Sequence, residues 1–172
     1  MGDGLPTGGV CVFSDDRLYR YVLERDLVDT WRTGEPNTVL FIMLNPSTAD
    51  ESRNDSAVTR CLGFAREWGA ERLWVANLFA WRSRNPDDLR RPADPVGALN
   101  DGHLKSMAVK SRRVVCAWGN HGKLNGRGKE VRNMLHDLGI TPYVLGLTKD
   151  GQPKHPLYLP ADTEPVPWEE CQ

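Results

Sequence analysis

Short apolar runs alternate along the chain with longer stretches in which apolar residues recur at helical spacing. Val10-Cys11-Val12-Phe13 and Leu18-Tyr19-Arg20-Tyr21-Val22-Leu23 are β-prone, with Asp15-Asp16 as a turn between them. The second run alternates, which predicts one buried face. Together they predict an antiparallel pair beside the main sheet, continued by Asp29-Thr30-Trp31-Arg32. Val39 to Leu44 is apolar throughout and predicts a buried core strand, stopped where Asn45 and Pro46 end the ladder. Val58, Cys61, Leu62, Ala65 and Trp68 then form a helical stripe over about Ser56 to Trp68. Asn54 or Asp55 is its expected N-cap and Gly69 its stop.

Leu73 to Ala76 predicts the second core strand, ending at Asn77. A long polar connection from Trp81 to Arg91 carries Arg82, Arg84, Arg90 and Arg91, a run that suits either a phosphate backbone or solvent. Asp94-Pro95 looks like the opening of a helix whose face holds Leu99, His103 and Met107. Val114 to Ala117 is the third core strand, ending at Trp118-Gly119. Val131, Met134, Leu135 and Leu138 mark a third helix, stopped by Gly139, and Tyr143 to Leu147 is the fourth core strand. The tail from Pro160 reads as extended surface chain docked by Trp168.

A strand–helix order repeated and closed by a strand predicts a three-layer α/β/α sandwich with a four-stranded parallel core sheet and an antiparallel N-terminal extension. The boundaries expected are one domain over 1–172, with its core at 39–159, the β extension at 10–32 and the tail at 160–172. Right-handed crossovers place all the strand ends on one edge, so Asn45, Asn77, Gly119 and the loop after Leu147 should converge there. Ligands of open α/β sheets bind beyond such carboxyl ends.

Composition adds limits. Hydrophobic residues make up 40% and charged residues 26% of 172, with a formal net charge of -1, so bulk charge argues neither for nor against nucleic acid. No apolar run is long enough for a membrane span, and the start lacks the character of a signal peptide. Cys11, Cys61, Cys116 and Cys171 form no CxxC pair and suit free thiols of a cytoplasmic protein. His103, His121, His136 and His155 are scattered and suggest no metal site, and no cofactor motif is present.

The strand-end motifs resemble those of the uracil-DNA glycosylase superfamily. They are Leu44-Asn45-Pro46-Ser47, Ala76-Asn77, Ala117-Trp118-Gly119 and His155-Pro156-Leu157. The chain is more closely similar to a bacterial and phage family of unknown function, domain-of-unknown-function family 1643. That family's hallmarks stand here as Asn45 to Asp50, Asn77 to Ala80, Ala117 to Gly119 and His155 to Leu159. The superfamily resemblance implies a uracil-DNA glycosylase-like fold and a nucleobase-recognising protein acting on DNA or a nucleotide, extending to cleavage of the N-glycosidic bond of uracil or a modified base. The alternative is a nucleotide- or nucleic-acid-binding protein without that activity.

Roles follow residue by residue. Asn45 takes the catalytic position, where its amide can orient water but cannot act as a base. Asp50 is the substitute base, and Asp50, Glu51 and Asp55 together also suit a small polar ligand or a divalent ion. His155 would donate to a base oxygen as it gains charge. Asn77 would pair with a base edge, with Pro46, Ser47 and Gly119 around it. Leu157 or Tyr158 would fill the space of a flipped nucleotide. The stacking aromatic of the superfamily is replaced by Ser47-Thr48-Ala49, which leaves Phe79, Trp81 or Trp118 for that task. The loop from Gly119 to Lys129 fits no P-loop register, yet is Gly-rich and cationic, which predicts phosphate contacts from Lys123, Arg127 and Lys129.

Overall fold

The computed structural model describes residues 9–30 and 34–170. The part of the expected continuation at Trp31 and Arg32, and Cys171, lie outside them. The strands are β1 (Gly9–Phe13), β2 (Arg20–Asp26), β3 (Thr38–Met43), β4 (Arg72–Asn77), β5 (Arg113–Cys116), β6 (Tyr143–Val144) and β7 (Val166–Pro167). The helices are α1 (Ser56–Glu67), α2 (Asn100–Lys110) and α3 (Arg127–Asp137). One mixed seven-stranded sheet runs in the order β1-β2-β4-β3-β5-β6-β7. Strand β3 pairs in parallel with β4 and β5, and β5 with β6, while β1-β2, β2-β4 and β6-β7 are antiparallel.

Every residue of β3 is buried. A central parallel strand covered on both faces has no position to give to polar residues. Leu40 and Ile42 join Leu104, Met107, Val131 and Leu135 of α2 and α3 on one face. Val39, Phe41 and Met43 join Val58, Cys61, Leu62 and Ala65 of α1 on the other. Full burial of a side chain the size of Phe41 or Ile42 stabilises by about 2–3 kcal/mol. Among the described residues no helix is long and apolar enough to cross a membrane.

Local chemistry fixes the ends of α1. Asp55 caps it, its carboxylate accepting from Val58 N at 2.9 Å, and Gly69 leaves it at φ +73. Elsewhere the sequence expectations need correction. Residues 20–23 of β2 are all buried, because the strand is hemmed in on both faces. Asp94 caps a turn, not a helix: its carboxylate accepts from Val96 N and Gly97 N, and Gly97 then takes φ +90. Helix α2 starts only at Asn100 and buries Asn100, Leu104, Met107 and Ala108, while Leu99 stays exposed. His103 stacks on Tyr21 instead. The polar connection holds a short 3₁₀ helix, Pro86–Arg90, capped by Asn85. Strand β6 stops at Val144, since Gly146 at φ +123 turns the chain away. The tail is more than surface chain: β7 closes the sheet edge, and buried Trp168 packs edge-on against Trp118 at 5.6 Å.

Candidate functional site

Because β3, β4 and β5 are parallel, their carboxyl ends face one edge. A cleft of about 320 Å³ opens there. Asn45, Pro46 and Ser47 line it from beyond β3, Asn77 from β4, Gly119 from beyond β5, and His155 from the loop after β6. The expected convergence of Asn45, Asn77, Gly119 and His155 is therefore the geometry of the molecule.

Each of these residues is held by its neighbours. Asn45 Nδ2 donates to Pro46 O at 3.2 Å and Ser83 O at 2.9 Å, which pins the 81–91 connection across the cleft mouth. Both amide protons are thus engaged, and Oδ1 remains as an acceptor. Asn77 is 2% exposed, and its Nδ2 has no hydrogen-bond partner among the described residues. A buried amide donor left open is costly unless something else meets it. Gly119 adopts φ +73 and donates its N–H to Pro153 O at 2.8 Å, which draws the His155 loop against the end of β5.

His155 accepts at Nδ1 from Leu157 N at 3.2 Å. An acceptor at Nδ1 places the proton of the neutral ring on Nε2. Burial pushes its pKa below the usual histidine value, with Asp55 opposing. The ring is accordingly a neutral N–H donor near pH 7.

The cleft also holds Arg20, Ser83 and His121, which sequence reasoning did not place there, together with Asp55 and Arg84, which it had weighed only as ligand-binding acid and phosphate-run arginine. Arg20, from the start of β2, is 2% exposed and donates Nη1 to Ala49 O at 2.9 Å, while its Nε has no partner. Burial lowers its pKa to about 10. Asp55 lines the cleft beside the start of α1, and Ser83, Arg84 and His121 complete the rim. A helix cap following a strand end was a usable signal for Asp55. Nothing local marked Arg20, which sits in an edge-strand pattern between two tyrosines and reaches the cleft only through sheet order.

Other expected site residues lie elsewhere. Asp50 is outside the cleft lining. Its Oδ1 accepts from Ser52 N at 2.9 Å and Arg53 N at 2.8 Å, and the Ser52 bond first of all holds its pKa below the usual carboxylate range. A carboxylate so engaged is a weak base in the wrong place. Glu51 pairs with Arg17 at 3.2 Å, so the acids of this loop point to different tasks. Phe79 is fully buried in the core. Trp81 packs edge-on to Tyr19, outside the lining. Trp118 does line the cleft but is 1% exposed, with its indole N–H on Gln152 Oε1 at 3.1 Å. None of the three presents an open ring face to the cleft. Leu157 is half-buried and Tyr158 is 89% exposed, both outside the lining.

The Gly-rich loop is a packing device. A Cβ on Gly122 would lie 2.0 Å from Trp118 Cδ1, so glycine is needed for the close approach of the indole. Arg127 is 2% exposed, donating Nε to Leu78 O at 2.9 Å and pairing with Asp101 at 2.5 Å and Glu130 at 3.1 Å. Lys123 pairs with Asp150 at 2.8 Å, and Lys129 is exposed on α3. None of these cations lines the cleft. Among the described residues no cluster of His, Cys, Asp and Glu is arranged to hold a metal ion.

No curated protein and no solved structure matches this chain. A family model does match, over residues 20–157, a span that begins at Arg20, ends just past His155 and takes in the whole cleft. By that match the chain belongs to the family described as "Protein of unknown function (DUF1643)".

Proposed function

We propose that the cleft receives a nucleobase. The observation that carries this reading is the open Nδ2 of buried Asn77, set in one cleft with the Asn45 acceptor and the neutral His155 donor. A base edge presents donors and acceptors side by side, and an amide can meet both. The cleft's volume is at the small end of ligand pockets, which suits a single nucleotide unit. The strand-end motifs support the same reading through their likeness to the uracil-DNA glycosylase superfamily.

In its catalytic form this reading is hydrolysis of an N-glycosidic bond. The bond from the sugar to the base nitrogen breaks, and the base leaves with negative charge. His155 Nε2–H would donate to the base oxygen, where the interaction strengthens in the transition state. Water would add to the sugar carbon, oriented by Asn45 and deprotonated by Asp55, the carboxylate that lines the cleft where Asp50 does not. Binding without cleavage is the second reading. It is favoured by the lack of an aromatic face open to the cleft at Phe79, Trp81 or Trp118.

One assay separates them: oligonucleotides carrying uracil, mismatched thymine or modified bases, scored for abasic sites. Cleavage predicts abasic product that falls about 100-fold or more in His155→Ala. It also predicts loss in Asp55→Asn, which keeps the helix cap, and retention in Asp50→Asn. Nucleotide binding with no abasic product from any substrate leaves the second reading. No binding of any base or nucleotide ends both.

A further inference from the structure

Arg20 carries a buried guanidinium with no carboxylate partner: among the described residues it makes no ion pair, and its one hydrogen bond goes to the Ala49 carbonyl. Burying a charge is expensive unless an opposite charge meets it. The surroundings make matters worse. Arg25 and Arg82 both act on Arg20 as like charges. Arg25 is 3% exposed and is held by Asn54 Oδ1 and by the carbonyls of Glu24, Asp50 and Arg53, not by a carboxylate. Arg82 donates to Arg17 O and lies over the Phe13 ring, and its buried Nε has no partner.

Acidic groups nearby do not close the balance. Cys11 is raised by burial and stays a neutral thiol. Asp55 lines the same cleft and attracts Arg20, but one of its oxygens holds Val58 N and it stands beyond ion-pair distance. Arg84 adds another exposed guanidinium to the cleft lining. The result is two guanidiniums on the cleft lining, Arg20 and Arg84, and no carboxylate paired with the buried one, whose Nε also lacks a partner.

We infer that Arg20 is the receptor for a phosphate oxygen, so that the ligand of the cleft is a phosphorylated nucleotide unit and not a free base or nucleoside. The base half of this statement rests on the proposed function; the anion half rests on Arg20 alone. Phosphate matches a guanidinium in charge and geometry better than any neutral acceptor. The phosphate can belong to a mononucleotide or to a strand backbone, and the chemistry at Arg20 is shared.

The test compares the wild-type protein with common nucleosides, their 5′- and 3′-monophosphates, ribose 5-phosphate and short oligonucleotides by calorimetry. A phosphate should tighten binding about 10- to 100-fold over the matching nucleoside. Arg20→Met should erase that difference, and Arg20→Lys should restore part of it. If Arg20→Met does not fold, phosphorus NMR of the wild-type complex decides. The bound monophosphate should lose its second proton below its free pKa of about 6, because a cation favours the dianion. Monophosphates binding and oligonucleotides not would identify a free nucleotide; the reverse would identify a strand. Nucleosides and monophosphates binding alike, or a phosphate that titrates as it does in water, would overturn the role of Arg20 and leave base recognition intact. Ribose 5-phosphate binding as tightly as any nucleotide would instead sink base recognition and leave Arg20 standing.

Discussion

Arg127 and Arg20 are equally hidden, each 2% exposed, and are employed in opposite ways. Arg127 sits where α3 meets α2 and finds a carboxylate on each side, plus the Leu78 carbonyl. Arg20 sits in the cleft wall with a single carbonyl and an open Nε. The first arrangement is a closed account of charge and hydrogen bonds within the chain. The second is closed only by something from outside. Composition pointed the other way, toward the glycines and cations near Arg127, because composition counts charges and cannot see their partners.

The largest effect that would break this contrast is on stability. Arg127→Met removes a cation from Asp101, Glu130 and Leu78 O, and should cost about 3 kcal/mol in urea unfolding, the low end for a buried pair because both acids are partly exposed. Arg20→Met removes a buried charge that lacks a counterion and should stay within about 1 kcal/mol of wild type. Equal losses would mean that Arg20 is structural too. Gly122→Ala comes next. Its Cβ meets the Trp118 indole, so the loop must shift, at about 2 kcal/mol and with a change in tryptophan fluorescence. Unchanged emission would show that the loop has room to spare and free the glycines for another role.

A smaller effect is in pH dependence. His155 titrates below the ordinary histidine value in the folded chain because of burial, so the unfolded chain binds more protons between the two values. Stability is then full above pH 6.5 and declines as pH falls through that window. His155→Gln should flatten the decline, leaving the part due to His103, which burial shifts the same way. A profile unchanged by the substitution would place His155 in water, outside the cleft. The smallest effect is at Lys123, whose pair with Asp150 is about half exposed. Lys123→Ala should change stability by less than about 1 kcal/mol and nucleotide affinity not at all. Weaker nucleotide binding would return the loop to the ligand site.

The central strands β3, β4 and β5 and helix α1 were legible because their signals are local. Unbroken apolar runs, Asp55 as cap and Gly69 as stop act within a few residues. The convergence of Asn45, Asn77, Gly119 and His155 was legible because parallel order forces strand ends together. Helix α2 was misplaced because Asp94-Pro95 suits a turn as well as a helix, and only Gly97 at φ +90 decides between them. The roles of Asp50 and Arg127 were misread because a side chain's task depends on what it bonds. Asp50 turns back onto Ser52 and Arg53, and Arg127 meets Asp101 from another helix. Arg20 was invisible for the same reason, since β2 reaches the cleft only by pairing with β4.

Strand β7 and Trp168 bear on how the site comes into being during synthesis. Trp118, a wall of the cleft, is packed edge-on by Trp168, and β7 is the last strand added to the sheet. Chains emerge amino end first. A nascent chain that has released everything through His155 holds all the polar residues of the cleft but not the ring that backs Trp118. The cleft therefore gains the ring that packs against Trp118 only after the tail is free to dock. A stop after Pro160 should give a protein whose sheet forms while Trp118 stays partly solvated, a state readable by its red-shifted emission.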